Sequence, residues 1–147
     1  MAAYNCSARQ QVICKEHLTR CYLAMLRILI ADDHAAVRQS LKDILLEEFD
    51  SSHVDEADDT DTLLEKIADG NWDIIVSDLD MPGGGGMAML KHIRSGKNSS
   101  PVIIVSMFPA DQYEQRVIDA GANAFLGKDF IATKLCPLIR EITGSVK

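Results

Sequence analysis

The stretch IIVSDLDMPGGGG, residues 74–86, decides how the rest of the chain is read. Its opening is continuously apolar, as in a strand buried on both faces of a parallel sheet. It then ends on Asp78 and Asp80, and acids at the end of a buried strand are costly unless something pairs with them. Pro82 and four glycines follow, which ends the strand and opens a loop into the next element. A strand that delivers carboxylates to its carboxyl end raises the question of what they meet there.

Outward from this stretch the chain alternates. LRILIAD (26–32) is a first strand, and AAVRQSLKDILLEEF (35–49) places Val37, Leu41, Ile44 and Leu45 at helical spacing. SHVDEAD (52–58) is a weak strand around Val54, followed by a helix through Leu63, Leu64 and Ile67 with Gly70 as its stop. WDIIVSD (72–78) is the second strong strand, and a helix through Met87, Leu90 and Ile93 follows the glycines. PVIIVSM (101–107) is the third strong strand. DQYEQRVIDAG (111–121) is a helix closed by Gly121, NAFLG (123–127) a short strand, and FIATKLCPLIREIT (130–143) the last helix. Pro137 falls inside that helix, where proline costs about 3 kcal/mol, so a late start near Thr133 or a bend is expected. Five β-α units with short connections predict an α/β protein with one parallel sheet and helices on both faces.

The 147 residues suit one domain, and a hydrophobic content of 47% excludes disorder for most of the chain. No run of roughly 18 apolar residues is present, so no membrane span is expected. The net charge of −7 argues against wrapping nucleic acid by charge. In residues 1–25, Arg9, Lys15 and Arg20 stand against Glu16 alone, a net of +2, which leaves −9 on the rest. Lys15, Glu16, His17 and Arg20 interrupt any signal-peptide core. Residues 1–25 therefore read as an N-terminal extension, poorly ordered or helical around 9–24, and residues 26–147 as the domain. Cys6, Cys14 and Cys21 lie in the extension, with Cys136 beyond it. Their spacing does not match a zinc site, and reduced thiols in a cytoplasmic protein are expected.

In open parallel sheets ligands bind at the carboxyl ends of the strands, where the strand order reverses. Asp32 and Asp33, Asp78, Ser106 and Lys128 all follow strands and so share that rim. Clustered carboxylates repel, and a divalent cation resolves this. Mg²⁺ takes oxygen ligands at roughly 2.0–2.1 Å, which suits two carboxylates, a main-chain carbonyl and waters. A lysine and a hydroxyl on the far side would hold an anion, completing a phosphoryl-transfer type of site. Each residue also has a plainer reading. The Asp32–Asp33 pair could cap a helix, Asp78 form a turn before Pro82, Ser106 bond a backbone group, Lys128 face solvent and Phe125 fill core. Five such accidents at one rim are jointly improbable. His34, beside the acids, reads as an exposed residue at a helix start with a ligand role as the lesser alternative, and the methionines as gap-fillers.

ADDH (31–34), SDLDMPGGGG (77–86), VIIVSMF (102–108) and GANAFLGKD (121–129) together resemble the receiver domain of two-component response regulators. The resemblance covers about Leu26 to Thr143. ADDH, SMF and GKD look closest to the LuxR-type subfamily, whose members carry a C-terminal helix-turn-helix domain. It implies a flavodoxin-like, doubly wound, five-stranded parallel sheet of order 2-1-3-4-5. It also implies an Mg²⁺-dependent phosphoacceptor that promotes its own phosphorylation and dephosphorylation rather than an enzyme with a separate substrate. Asp78 takes the phosphoacceptor position. Asp33 would ligate Mg²⁺ directly with Asp78 and the Asp80 carbonyl, and Asp32 through water. Ser106 and Lys128 would move onto the phosphoryl oxygens, and Phe125 takes the place of the switch aromatic. The surface formed by the fourth helix, fifth strand and fifth helix would then change its partner preference. The implied partners are a histidine kinase or phosphotransfer protein and a second copy in a homodimer, with DNA reached only through an output domain absent from this sequence.

Several positions depart from the family pattern. Gly85 stands where an acidic or polar residue commonly precedes the helix-opening glycine, and the four glycines predict a mobile loop. Asp80 adds a carboxylate near the phosphoryl group, Met107 could narrow access to it, and Asp129 replaces the proline that often follows the lysine. Three other functions compete with the receiver reading. SDLDMP superficially resembles the D-x-D of dehalogenase-type phosphatases, but Pro82 stands where Thr or Val is expected. A phosphorylation-independent interaction module and a stand-alone phosphorelay receiver are the other two.

Overall fold

The computed structural model describes residues 25–144. The extension anticipated before Met25, with its helix over 9–24 and three cysteines, lies outside the described residues. The chain runs β1 (Arg27–Ala31), α1 (Ala35–Glu48), β2 (His53–Ala57), α2 (Thr60–Asp69), β3 (Ile74–Asp78), α3 (Gly85–Ser95), β4 (Val102–Ser106), α4 (Ala110–Asp119), β5 (Ala124–Gly127) and α5 (Ile131–Thr143). A single 3₁₀ turn, Lys128–Phe130, joins β5 to α5. The strands form one parallel sheet of order β2-β1-β3-β4-β5. The expected flavodoxin-like topology is therefore present.

Burial along each strand follows from its place in that order. β3 and β4 are interior and wholly buried, which explains their unbroken apolar runs. β2 lies at an edge and is buried only at Ala57, so its sequence signal is weak. Strand periodicity divides the core in two. Ile28, Ile30, Ile74, Val76, Ile103 and Val105 pack under α1 and α5 with Leu41, Leu45, Leu135 and Ile139. Leu29, Ile75, Val102 and Ile104 pack under α2, α3 and α4 with Leu63, Met89, Leu90 and Val117. β1 has β2 on one side and β3 on the other, so the crossovers leave it in opposite directions and a crevice opens above β1 and β3.

Gly70 ends α2 as expected, in an extended conformation (φ −135°). Glycine is favoured there because a Cβ would sit 3.0 Å from the Trp72 indole nitrogen. The last helix begins at Ile131, not near Thr133, and runs through Pro137. Pro137 lies on the exposed side, while Leu135, Cys136 and Ile139 are buried. Burying an aliphatic side chain contributes about 1.5–3 kcal/mol, so packing of this face offsets the lost hydrogen bond. Among the described residues no helix is long and apolar enough to cross a membrane.

Candidate functional site

Strand parity aims the acids. Asp32, Asp78 and Lys128 continue the alternation that puts Ile30, Val76 and Leu126 on the α1/α5 side. Asp33, Ser106 and Phe125 continue the opposite parity. The rim of the sheet thus receives groups from both faces. Asp32 is 0% exposed and Asp78 4% exposed, so each needs a partner. The partner is Lys128, whose Nζ donates to Asp32 Oδ2 at 2.7 Å and to Asp78 Oδ2 at 3.1 Å. Lys128, anticipated to hold an anion, stands here between two carboxylates.

The electrostatics follow from this bridge. Burial pushes the Asp32 carboxyl up, but hydrogen bonds from Lys128 and from the His34 amide and ring outweigh it and hold the group below its ordinary value. Burial also acts on Asp78, and with the negative charge of Asp32 it overcomes the Lys128 hydrogen bond and raises the pKa. Burial opposes the charge on Lys128, yet its hydrogen bonds to the two acids raise its pKa. The Asp32 main chain is fixed as well, because the Arg38 guanidinium donates to its carbonyl at 2.6 Å.

Asp33 sits at the mouth and is partly exposed. His34, the N-cap residue of α1, is 67% exposed at its side chain. Its Nδ1 lies 2.9 Å from Asp32 Oδ1 and 3.1 Å from Asp33 Oδ1. His34 is thus the exposed helix-start residue expected, and its ring also meets the two acids beside it. Donor atoms of Asp32, Asp33, His34 and Asp78 all lie within 4.8 Å of one another. Hard carboxylate oxygens at this spacing fit a divalent cation. The Asp80 amide donates to Asp78 Oδ1 at 3.4 Å, which brings that peptide to the pocket while its side chain stays exposed.

Ser106 is buried at the end of β4, and its Oγ accepts the Phe108 amide at 2.9 Å. The hydroxyl is thus held in a local turn, the plainer of its two readings. Phe125 is half-buried against the α2–α4 core. With Ser106, Lys128, Phe108, Phe130 and Leu138 it lines a groove of about 620 Å³. Met107, 72% exposed, borders both this groove and a second of about 510 Å³ between α1 and α5.

The glycine run forms a turn held by contacts with other elements. Gly83, Gly84 and Gly85 have φ of +91°, +102° and +63°. A Cβ on Gly85 would lie 2.2 Å from the Leu79 carbonyl oxygen. The Gly85 amide donates to Thr60 Oγ1 at 2.8 Å, and Thr60 donates to the Pro82 carbonyl through both hydroxyl (2.8 Å) and amide (3.1 Å). Gly84, the N-cap of α3, has no side chain to cap with, so Thr60 supplies the cap from α2. Thr60 was not foreseen because its partners lie over 20 residues away.

Residues 28–140 match the family described as the response regulator receiver domain. The sensory/regulatory protein RpfC of Xanthomonas campestris pv. campestris is 32% identical over 132 residues, 87% of this chain. The chain spans only 18% of that protein's length. Chemotaxis protein CheY-3 of Vibrio cholerae is 33% identical over 113 residues, 75% of this chain and 85% of its own. Among solved structures, the response regulator TrrA of Thermotoga maritima in complex with Mg²⁺ and BeF superposes with a TM-score of 0.72 at 28% identity. The superposition covers 80% of this chain and 99% of the other.

Proposed function

The chain belongs to the response regulator receiver family, and on that premise we propose that Asp78 accepts a phosphoryl group from a phosphohistidine donor. The domain is a phosphoacceptor signalling domain, and receiver domains interact with histidine kinases or phosphotransfer proteins. The observation that carries the assignment to Asp78 is the Lys128 ammonium held between Asp32 and Asp78, residues 96 and 50 positions away. An Asp78 carboxylate oxygen attacks phosphorus. The new O–P bond forms as the histidine N–P bond breaks, and the leaving imidazole keeps the electron pair and takes up a proton.

Bound Mg²⁺ would neutralise charge on the transferring phosphoryl oxygens. Asp33, Asp78 and the Asp80 carbonyl would hold it, with Asp32 assisting through water. Lys128 shifts from the carboxylates to a phosphoryl oxygen, and the Ser106 hydroxyl leaves the Phe108 amide to donate to another. Phe125, which borders the same groove as Ser106, turns into the space released. The α4–β5–α5 surface then changes its affinity for an output partner or a second copy. Met107 narrows the approach, and exposed Asp80 orients or repels attacking water during dephosphorylation. The wording of ADDH, SMF and GKD supports a LuxR-type, cytoplasmic regulator whose output is transcription through a DNA-binding domain. The dehalogenase-type alternative fails because Asp78 ends the third strand in sequence, not the first.

The test is incubation of the whole chain with acetyl phosphate and Mg²⁺, read by intact-mass analysis, beside Asp78→Asn. One added phosphoryl group on the parent and none on the variant is expected. An equal adduct on Asp78→Asn, or none on the parent, overturns the assignment.

A further inference from the structure

We propose that His34 is an additional metal ligand, which turns an all-oxygen site into a mixed nitrogen–oxygen one and selects Mn²⁺ and related first-row ions over Mg²⁺. The inference rests on the functional reading above and concerns this chain's own residue. The geometry is specific. Two ligands in adjacent positions of an octahedral ion with bonds of about 2.1 Å lie about 3.0 Å apart. His34 Nδ1 stands 3.1 Å from Asp33 Oδ1, so it already forms one edge with that direct ligand, and its 2.9 Å contact with Asp32 Oδ1 holds the ring over the pocket. Asp78 completes a group of four donors within 4.8 Å.

The backbone holds this arrangement. The His34 amide donates to Asp32 Oδ1 at 2.9 Å, which fixes the residue over the acid it faces. The side chain is 67% exposed, so an ion entering from solvent can reach its Nδ1. Imidazole nitrogen is a borderline donor that Mg²⁺ takes reluctantly and first-row ions take increasingly well from Mn²⁺ to Cu²⁺. A single such ligand therefore discriminates between ions that carboxylates alone would bind similarly.

The same spacing suits a hydrogen bond, so the experiment reads nitrogen ligation directly. Mn²⁺ is bound to the full chain at fixed pH and examined by pulsed electron paramagnetic resonance for ¹⁴N coupling. His34→Gln and Asp33→Asn variants are measured beside it. Mn²⁺ is chosen because, as a hard ion, it ignores the cysteine thiols of residues 1–24. The expected result is ¹⁴N coupling in the parent that disappears in His34→Gln. The Mn²⁺/Mg²⁺ affinity ratio should also fall roughly tenfold, the loss typical when a metal-supporting contact is removed. Mn²⁺ bound in an Asp33-dependent way without ¹⁴N coupling, or coupling that survives in His34→Gln, overturns the role of His34 and leaves the site intact. Binding insensitive to Asp33→Asn overturns the reading of the site itself.

Discussion

Replacing Thr60 with valine keeps the shape of a buried side chain and removes one hydroxyl, and the structure predicts a large loss from that change. Thr60 is 2% exposed. Its Oγ1 accepts the buried Gly85 amide at 2.8 Å and donates to the Pro82 carbonyl. In Thr60→Val the Pro82 oxygen keeps the Thr60 amide, at 3.1 Å. The Gly85 amide keeps nothing, and an unsatisfied buried donor costs about 1–3 kcal/mol. A loss near ~2 kcal/mol is expected, which for a domain of this size lowers Tm by roughly 5–10 °C. Thr60→Ser keeps the hydroxyl and loses one methyl, worth about 0.8 kcal/mol. The stability order should be parent, serine, valine, although valine matches the parent in volume and apolarity. Urea unfolding of the three proteins, with m-values compared, reads this directly. Valine equal to the parent, or more stable than serine, would refute the claim that Thr60 caps α3.

Lys128→Ala strips the ammonium from two buried acids and should destabilise the metal-free protein by about 3–5 kcal/mol. Added Mg²⁺ should restore part of that, since an ion bound only by the folded state stabilises it. Urea titrations with and without Mg²⁺ check both, and a variant indifferent to Mg²⁺ contradicts the bridge. The three site groups also set a pH dependence in the absence of metal. The depressed pKa of Asp32 contributes stability above the ordinary 3.8 that is lost as pH falls below it. The raised pKa of Asp78 acts in the opposite sense, so stability increases as pH falls toward 3.8 through its folded value. The raised pKa of Lys128 contributes stability that is complete below 10.5 and lost above it. Carboxyl ¹³C titration should find Asp78 protonating before Asp32 as acid is added, and the reverse order would refute the charge assignment.

Much of the site was legible because its signals are local. The alternation of strands and helices predicts five β-α units, and charged residues at strand ends place Asp32, Asp33, Asp78 and Lys128 on one rim. Weak strand β2 was read with the right position because an edge strand still keeps one buried register. Ser106 was aimed correctly along its strand, but its hydrogen bond to the Phe108 amide depends on a turn whose dihedrals carry no residue pattern. The glycine run was read for its freedom alone. Its close approach is visible only in the tertiary structure, where an added Cβ would meet neighbours at 2.2–3.0 Å.

The amino-acid sequence by itself determined the periods, the strand count, the parity of each acid and the family. Those depend on residues within one element, where a spacing of two or 3.6 converts directly into a face. The tertiary structure decided which charge meets which. Lys128 bridges Asp32 and Asp78, Thr60 caps a helix belonging to another unit, and packing of Leu135 and Ile139 carries α5 through Pro137. Each of those outcomes joins groups from different elements, and their energies exist only once the sheet has set the distance between them.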